Sequence, residues 1–254
     1  MMKEMNFDQM IDAVDKERLA GVMSTLNKDY VLANVVPILE PITEENKEEF
    51  LNVPTFNSHG IENMNGIVAV PKVPMEISEG RVFLTPANKM CMQLGITSAE
   101  LEKAAFDNLN NSKYSCKSIE EALFGITEGM EIDFPFPMDF EKTDVNHLRR
   151  DTLYYISNDS NINGANAILN SDLQEKLKSL GDYYILPSSR HEVLVASTEF
   201  NDEPEMLVDM VKTINAGVLD PKDKLADNVY KYDSATGKIT SLDNGSKIDM
   251  NREM

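Results

Sequence analysis

The fold of this protein is decided by the stretch between residues 153 and 196, which reads LYYISNDSNINGANAILNSDLQEKLKSLGDYYILPSSRHEVLVA. Its opening apolar run predicts a strand over Thr152–Ser157. After a polar turn, leucines recur every three or four residues and predict an amphipathic helix that ends at Gly181. A hairpin of Tyr183–Leu186 and Glu192–Ala196 follows. With a further helix and a terminal hairpin, the C-terminal half is predicted as strand–helix–hairpin–helix–hairpin.

The chain has 254 residues, and its patterns divide it into four segments. Residues 1–30 predict an N-terminal amphipathic helix, and residues 31–127 predict an N-terminal α+β half. Residues 128–150 are predicted to connect this half to a C-terminal α+β half over residues 151–245. Because a chain of this length can bury a large core, we expect an α+β fold of two packed α/β halves. Their strands are mainly antiparallel, and the halves are expected to form one integrated domain.

The charge of the chain limits its partners. Forty-three acidic residues against 24 basic ones give a formal net charge of −19. Such a field repels phosphate groups, so direct binding of nucleic acid is not expected. The acidic residues are spread along the chain, which favours a solvated surface over a mimic of nucleic acid. No apolar run reaches the roughly 18 residues of a membrane span, so we expect no membrane partner and a cytoplasmic location.

The first polar turn of the decisive stretch carries Asn158, Asp159, Asn163 and Gly164, which we consider candidate binding residues. Counted from Asp159, the oxygen-bearing side chains of Asp159, Asn161 and Asn163 and the glycine at position 164 resemble the opening of a calcium-binding loop. Calcium loops also need a carboxylate at the twelfth position, where this chain has Asn170. We therefore predict a strand-to-helix turn that uses Asn and Gly for left-handed backbone conformations, and no metal.

The second polar turn carries the candidates Ser188, Ser189 and His191. Side chains two apart in an extended segment share a face, so Ser189 and His191 are weak candidates for a catalytic pair, with Glu192 on the opposite face. A serine nucleophile also needs an oriented base and an oxyanion hole. In the structural alternative, the serines cap the hairpin and His191 hydrogen-bonds a neighbouring loop.

The two cysteines and the other two histidines suggest no catalytic or metal-binding site. Cys91 and Cys116 form neither a disulfide framework nor a metal-ligand spacing. His59 and His147 stand apart from His191 and from each other, and both are predicted to be surface residues. We expect no metal ion and no cofactor.

Four segments of the chain resemble, in order, an uncharacterised bacterial family, domain of unknown function 5688. They are NVVPILEPITEENKEEFLNVP, VFLTPANKMCMQLGITSAELEKAAFDNL, LYYISNDSNINGANAILN and ILPSSRHEVLVAS. The resemblance covers residues 31–239, and its most distinctive part is the ILPSSRHEV segment. A looser similarity reaches domain of unknown function 1444. The resemblance implies a cytoplasmic accessory role, because members appear among accessory genes of mobile elements in anaerobic gut bacteria, and it implies no reaction.

Our leading interpretation is a non-enzymatic interaction or regulatory module that binds a protein partner. Its working surface would combine the turns over residues 158–164 and 188–192. If the strands that precede them run in the same direction, both turns lie at one edge of the sheet. Two alternatives stay open: a hydrolase or transferase that uses Ser189 and His191, and an acidic inhibitor that mimics nucleic acid.

Overall fold

The computed structural model describes most of the chain and shows an α+β fold. Among the described residues, the strands form two antiparallel sheets, one of three strands and one of six. The helix predicted within residues 1–30 lies outside the described residues as far as residue 25, as does most of the predicted connecting segment. The described ranges are residues 26–77, 80–127, 142–187, 189–200, 203–217 and 219–242.

The smaller sheet has the order β1-β2-β3 and is built from the N-terminal part of the chain. Its elements are α1 (Lys28–Asn34), β1 (Val36–Pro41), short 3-10 helices at Lys47–Phe50 and Ile61–Asn63, β2 (Ile67–Ile77), β3 (Gly80–Leu84), α2 (Asn88–Leu94) and α3 (Ser98–Asn110). Helix α3 begins at Ser98 because Thr97 and Glu100 form a capping box.

The larger sheet has the order β4-β5-β7-β6-β8-β9, so β4 and β9 are its outermost strands. Its elements are β4 (Tyr114–Ser118), α4 (Ile119–Thr127), β5 (Leu153–Asn158), a 3-10 helix at Gly164–Leu169, α5 (Ser171–Leu177), a 3-10 turn at Lys178–Leu180, β6 (Tyr183–Leu186), β7 (Val193–Ser197), α6 (Pro204–Gly217), β8 (Tyr230–Asp233) and β9 (Lys238–Ser241). The predicted hairpins are confirmed as β6–β7 and β8–β9.

The prediction of one continuous helix after Gly164 is wrong. The structure forms a 3-10 helix, α5 and a second 3-10 turn in its place. Asn170 causes the first break. Its backbone is extended, and its side chain accepts hydrogen bonds from the N–H groups of Asp172 and Leu173. Asn170 is thereby the N-cap of α5. The leucines that suggested a helix, Leu169, Leu173, Leu177 and Leu180, are all buried.

Strand β7 lies between β5 and β6 and is antiparallel to both. Strands β5 and β6 therefore run in the same direction. Their carboxyl ends lie at the same edge of the sheet, which meets the condition stated for a shared surface of the two polar turns.

The main core is formed by apolar side chains from both sheets and from helices. One continuous cluster contains Val73 of β2, Leu101 of α3, Ile156 of β5, Leu173 of α5 and Ile185 of β6. Burial at about 25 cal/mol per Å² of apolar surface is the dominant stabilising contribution of such a cluster. The sheet edge that carries the polar turns is thus supported by side chains from most of the fold.

Helix α6 covers the opposite face of the larger sheet. A second cluster there consists of Tyr184, Leu186, Leu207, Val211 and Val229. Within the part of the chain that the structure describes, every helix is too short or too polar to cross a lipid bilayer.

Candidate functional site at one edge of the six-stranded sheet

Two polar turns leave the same edge of the larger sheet. The β5 turn, residues 159–163, follows β5, and the β6–β7 turn, residues 187–192, joins β6 to β7. Ser188, a predicted candidate in the second turn, lies outside the described residues. The structure places the other predicted candidates in or directly beside these two turns.

Hydrogen bonds between described residues join the β6–β7 turn to β5, to its turn and to the 3-10 helix that follows. The N–H of Asn163 donates to His191 Nδ1 (3.2 Å), and the N–H of Ala165 donates to Arg190 O (3.1 Å). The hydroxyl of Ser157 donates to His191 O (2.7 Å). Because these bonds connect backbone and side-chain atoms of both segments, the two turns form a single surface.

The β5 turn is held in shape by the side chain of Asn158. Its Oδ1 accepts hydrogen bonds from the N–H and the hydroxyl of Ser160 (3.0 and 2.9 Å), and its Nδ2 donates to Ile162 O (2.8 Å). Asn161 and Asn163 both have φ of 52°, a left-handed conformation that Asn adopts more readily than most residues. The Asn-rich sequence therefore specifies the turn locally.

The residues of the first turn, the candidates Asp159, Asn163 and Gly164 among them, divide by exposure. Asp159, Ser160 and Asn161 are exposed, whereas Asn163 is only 2% exposed and Gly164 is buried. A Cβ on Gly164 would lie 2.5 Å from His191 O and 2.7 Å from Asn158 N, and closer still to Ser157 Oγ. The first three residues can contact a ligand, while Asn163 and Gly164 hold the turns together.

Buried Ser189 and half-buried Glu192 contact each other inside the second turn. Ser189 is 1% exposed, and its Oγ accepts a hydrogen bond from the N–H of His191 (2.9 Å). Burial raises the pKa of Glu192 and the charge of Asp223 adds to the rise, while a hydrogen bond with Ser189 and the charge of His191 oppose it. The predicted opposite placement of Glu192 is wrong, because Glu192 hydrogen-bonds Ser189. Arg190 and His191 lie in a bend between them, and β7 starts only at Val193.

The ring of His191 faces two different neighbours. Nδ1 accepts the hydrogen bond of Asn163, and Nε2 lies 3.4 Å from Asp223 Oδ1. Since Nδ1 is an acceptor, the neutral ring carries its proton on Nε2. Among the described residues, the structure shows no hydrogen bond between this ring and Ser189 Oγ, and the ring instead contacts a neighbouring loop as the structural alternative predicts.

Arg190 connects the same turn to the smaller sheet. Its guanidinium lies 2.7 Å from Glu40 Oε2, and Lys72 Nζ lies 3.0 Å from Glu40 Oε1. Glu40 is only 5% exposed, so loss of either cation leaves a poorly hydrated charge. Sequence analysis missed this contact, because residues so distant in the chain give no local signal.

A separate polar cleft of about 570 Å³ lies beside β4 and the start of α4. Two side chains of the cleft contact neighbouring carboxylates, His147 at Asp144 (2.7 Å) and Arg149 at Asp151 (2.8 Å). The His147 side chain is 82% exposed, which confirms its predicted surface position. The cleft thus presents charges that are largely neutralised by their neighbours.

A second serine–histidine pair was not singled out by sequence. Ser58 Oγ lies 2.6 Å from His59 Nδ1 and donates to Glu102 Oε1 (2.6 Å). The His59 ring stacks on Phe106 with 3.7 Å between ring centroids, and His59 is exposed as predicted. Nothing in the SHG tripeptide signals the carboxylate, which comes from helix α3.

Comparison with known proteins gives one match. A family model described as "Family of unknown function (DUF5688)" matches residues 27–234. No curated protein and no solved structure matches the chain.

Proposed function

The chain belongs to the family of unknown function DUF5688, so we propose a function from its own geometry: a non-catalytic module that binds a protein partner. The proposed binding surface consists of the β5 turn and the exposed part of the β6–β7 turn. The single observation that carries this proposal is the set of three hydrogen bonds that fixes the two turns as one surface.

A fixed surface favours binding, because a rigid loop loses little conformational entropy when a partner docks. The exposed groups are the carboxylate of Asp159, the hydroxyl of Ser160 and the amide of Asn161. The half-buried Tyr155 hydroxyl lies 3.5 Å from Asn161 Oδ1 at the border of the turn. Tyr, Ser and Asn are the residues that protein-binding loops use for large contact area and adaptable hydrogen bonds.

The geometry of the second turn supports binding over catalysis. A serine nucleophile must reach a substrate, whereas Ser189 is 1% exposed and its hydroxyl contacts Glu192 and the backbone of His191. The ring nitrogens of His191 face Asn163 and Asp223. These contacts favour a structural role for the pair.

The proposal is tested by photo-crosslinking in cells of the native host. A benzophenone amino acid at position 160 should crosslink to one defined protein. The same amino acid at Ser179, an exposed residue in the 3-10 turn after α5, should not. The captured protein and this chain should then form a complex of fixed stoichiometry when both are purified.

A matched pair of double variants tests the surface in the purified complex. Asp159→Arg/Ser160→Arg should weaken binding at least about tenfold, which is about 1.4 kcal/mol. Glu175→Arg/Ser179→Arg makes the same chemical changes on another exposed face and should leave the affinity unchanged. Equal effects of the two variants, or no effect of the first, would contradict the proposed surface.

A further inference from the structure

Tyr155 and Glu192 lie beside each other at the border of the proposed binding surface, and both are half-buried. The antiparallel pairing of β5 with β7 puts Tyr155 opposite Leu194. Continued beyond the start of β7, the same register puts Glu192 opposite Ser157. Because side chains two apart along a strand share a face, Glu192 stands on the same face as Tyr155. The electrostatics agree with this placement, since burial raises the pKa of Tyr155 and the charge of Glu192 adds to the rise.

The carboxylates at this border have no cationic partner in the part of the chain that the structure describes. No described lysine or arginine forms an ion pair with Glu192 or with the exposed Asp159. The cations of the turn and of the segment bonded to it are paired with other carboxylates: Arg190 with Glu40, Lys222 with Asp220 and Lys224 with Asp227. The exposed Lys117 lies opposite Tyr155 on β4 and forms no ion pair with a described residue. The border therefore keeps an excess of negative charge.

The position of Glu192 is one that a cation from outside the chain would stabilise. Removing a carboxylate from water without a compensating partner costs free energy, and burial accordingly raises the pKa of Glu192. A cation supplied by a partner would offset this cost. The net charge of −19 also attracts positively charged partners over a long range.

An arginine side chain matches these groups better than a lysine side chain does. A guanidinium donates two parallel hydrogen bonds to a carboxylate, and it also stacks flat on an aromatic ring. Glu192 supplies the carboxylate and Tyr155 supplies the ring. The Tyr155 hydroxyl lies 3.5 Å from Asn161 Oδ1, so the ring adjoins the β5 turn.

We propose that the partner protein places an arginine side chain against Tyr155 and Glu192, where its guanidinium stacks on the ring and pairs with the carboxylate. This inference rests on the proposed function, because it names the chemistry of the partner at the same surface. The exposed carboxylate of Asp159 attracts the same cation as it approaches. The partner is therefore a protein that presents a basic segment, since a neutral or acidic segment leaves Glu192 unpaired.

The contact is tested by NMR titration of the full-length protein with three capped tripeptides, Gly-Arg-Gly, Gly-citrulline-Gly and Gly-Glu-Gly. At low ionic strength, where exposed charges are little screened, the arginine peptide should shift the amide signals of Tyr155, Glu192 and the β5 turn until they saturate. Citrulline has the shape of arginine without its charge, and its peptide should bind at least about fivefold more weakly. The glutamate peptide should not bind.

Two matched pairs of variants locate the contact. Glu192→Gln should weaken binding of the arginine peptide about threefold without lowering the melting temperature, so the loss is not a loss of fold. Glu175→Gln removes the same charge from another exposed face and should leave binding unchanged. Tyr155→Phe keeps the ring and should bind like the wild type, whereas Tyr155→Leu lacks the ring face and should bind more weakly.

The inference is overturned if the citrulline peptide binds as tightly as the arginine peptide, or if no peptide gives a saturable shift at this border. Equal effects of Glu192→Gln and Glu175→Gln would also overturn it, because they indicate attraction to the acidic surface as a whole. The proposed function fails separately. A crosslinked partner whose affinity is unchanged by Glu192→Gln refutes the arginine contact alone, whereas arginine binding without any crosslinked partner contradicts the proposed function while the site for a guanidinium group stands.

Discussion

Two serine–histidine pairs in the described part of the chain differ in their contacts and in the exposure of their serine. In the exposed pair, His59 is exposed and Ser58 half-buried, and Ser58 Oγ lies 2.6 Å from the His59 ring and also contacts Glu102. In the buried pair, Ser189 is buried and His191 half-buried, Ser189 Oγ contacts the backbone N–H of His191, and the ring faces other partners. The pair that spacing suggests is therefore a structural one, and the pair with a direct hydroxyl–imidazole contact stands on the surface.

This difference shows that burial decides how much a polar contact contributes to the free energy of unfolding. A buried donor or acceptor that loses its partner costs about 1–3 kcal/mol, while an exposed one finds water. We therefore expect large losses of stability from changes around Ser189 and His191, and small ones around Ser58 and His59.

The largest effect is expected at Gly164, against which His191 O packs. Gly164→Ala forces a Cβ into contact with the backbone of Asn158 and His191 and should cost about 3 kcal/mol of unfolding free energy. Gly217→Ala, at the end of α6, meets no atom within 4 Å and should be neutral or slightly stabilising. Chemical denaturation of both variants measures the contrast. Similar stabilities would show that the two turns are not packed as described.

The next largest loss of stability is expected from removal of the serine hydroxyl in each pair. Ser189→Ala leaves the N–H of His191 without its acceptor in a site that is 1% exposed, and should cost about 2 kcal/mol. Ser58→Ala, at a half-buried position, should cost less than about 1 kcal/mol, because water can replace the hydroxyl. Equal losses in urea titrations would remove the distinction between the pairs.

A smaller effect, a gain in stability, is expected from a substitution of Glu192. Because burial raises its pKa above the ordinary 4.5, folding favours the protonated carboxyl. Its contribution to stability is fully present below pH 4.5 and is lost as pH rises through the folded-state pKa. Glu192→Gln keeps an acceptor for Ser189 without the charge, so it should melt slightly higher than wild type at neutral pH. The gain should vanish in acid, and a uniform gain or loss across pH would refute this explanation.

The smallest effect is expected at His59. Its backbone φ of 60° is one that Gly adopts without strain, so His59→Gly relieves strain but loses the stacking on Phe106. These contributions oppose each other, and the net change should lie within about 0.5 kcal/mol. Calorimetric melting measures it. A loss as large as that of Ser189→Ala would assign the exposed pair a structural role.

Local patterns predicted much of the fold. The hairpin strands Tyr183–Leu186 and Glu192–Ala196 were predicted from short apolar runs that need only neighbouring residues, and the hairpin is confirmed. Strand β4 was missed because its sequence YSCKS has little apolar alternation, and it forms through its pairing with β5. The break at Asn170 was missed because the leucines on both sides keep a helical spacing.

The candidate site was predicted in position but not in detail. The sequence places Asn158–Gly164 and the β6–β7 turn after strands, and the strand order brings them to one edge. It does not show that the ring of His191 meets Asn163, that Arg190 reaches Glu40, or that Glu192 turns back to Ser189. Each of these contacts depends on tertiary placement, which spacing along the chain does not encode.

The outer strands of the larger sheet bear on how the protein behaves at high concentration. Unpaired backbone groups along an edge strand attract the edges of other molecules and start aggregation. Strands β4 and β9 have only five and four residues, and each carries an exposed lysine, Lys117 and Lys238. Short edges with a positive charge pair poorly with copies of themselves. The six-stranded sheet therefore ends in strands that resist the growth of intermolecular sheets.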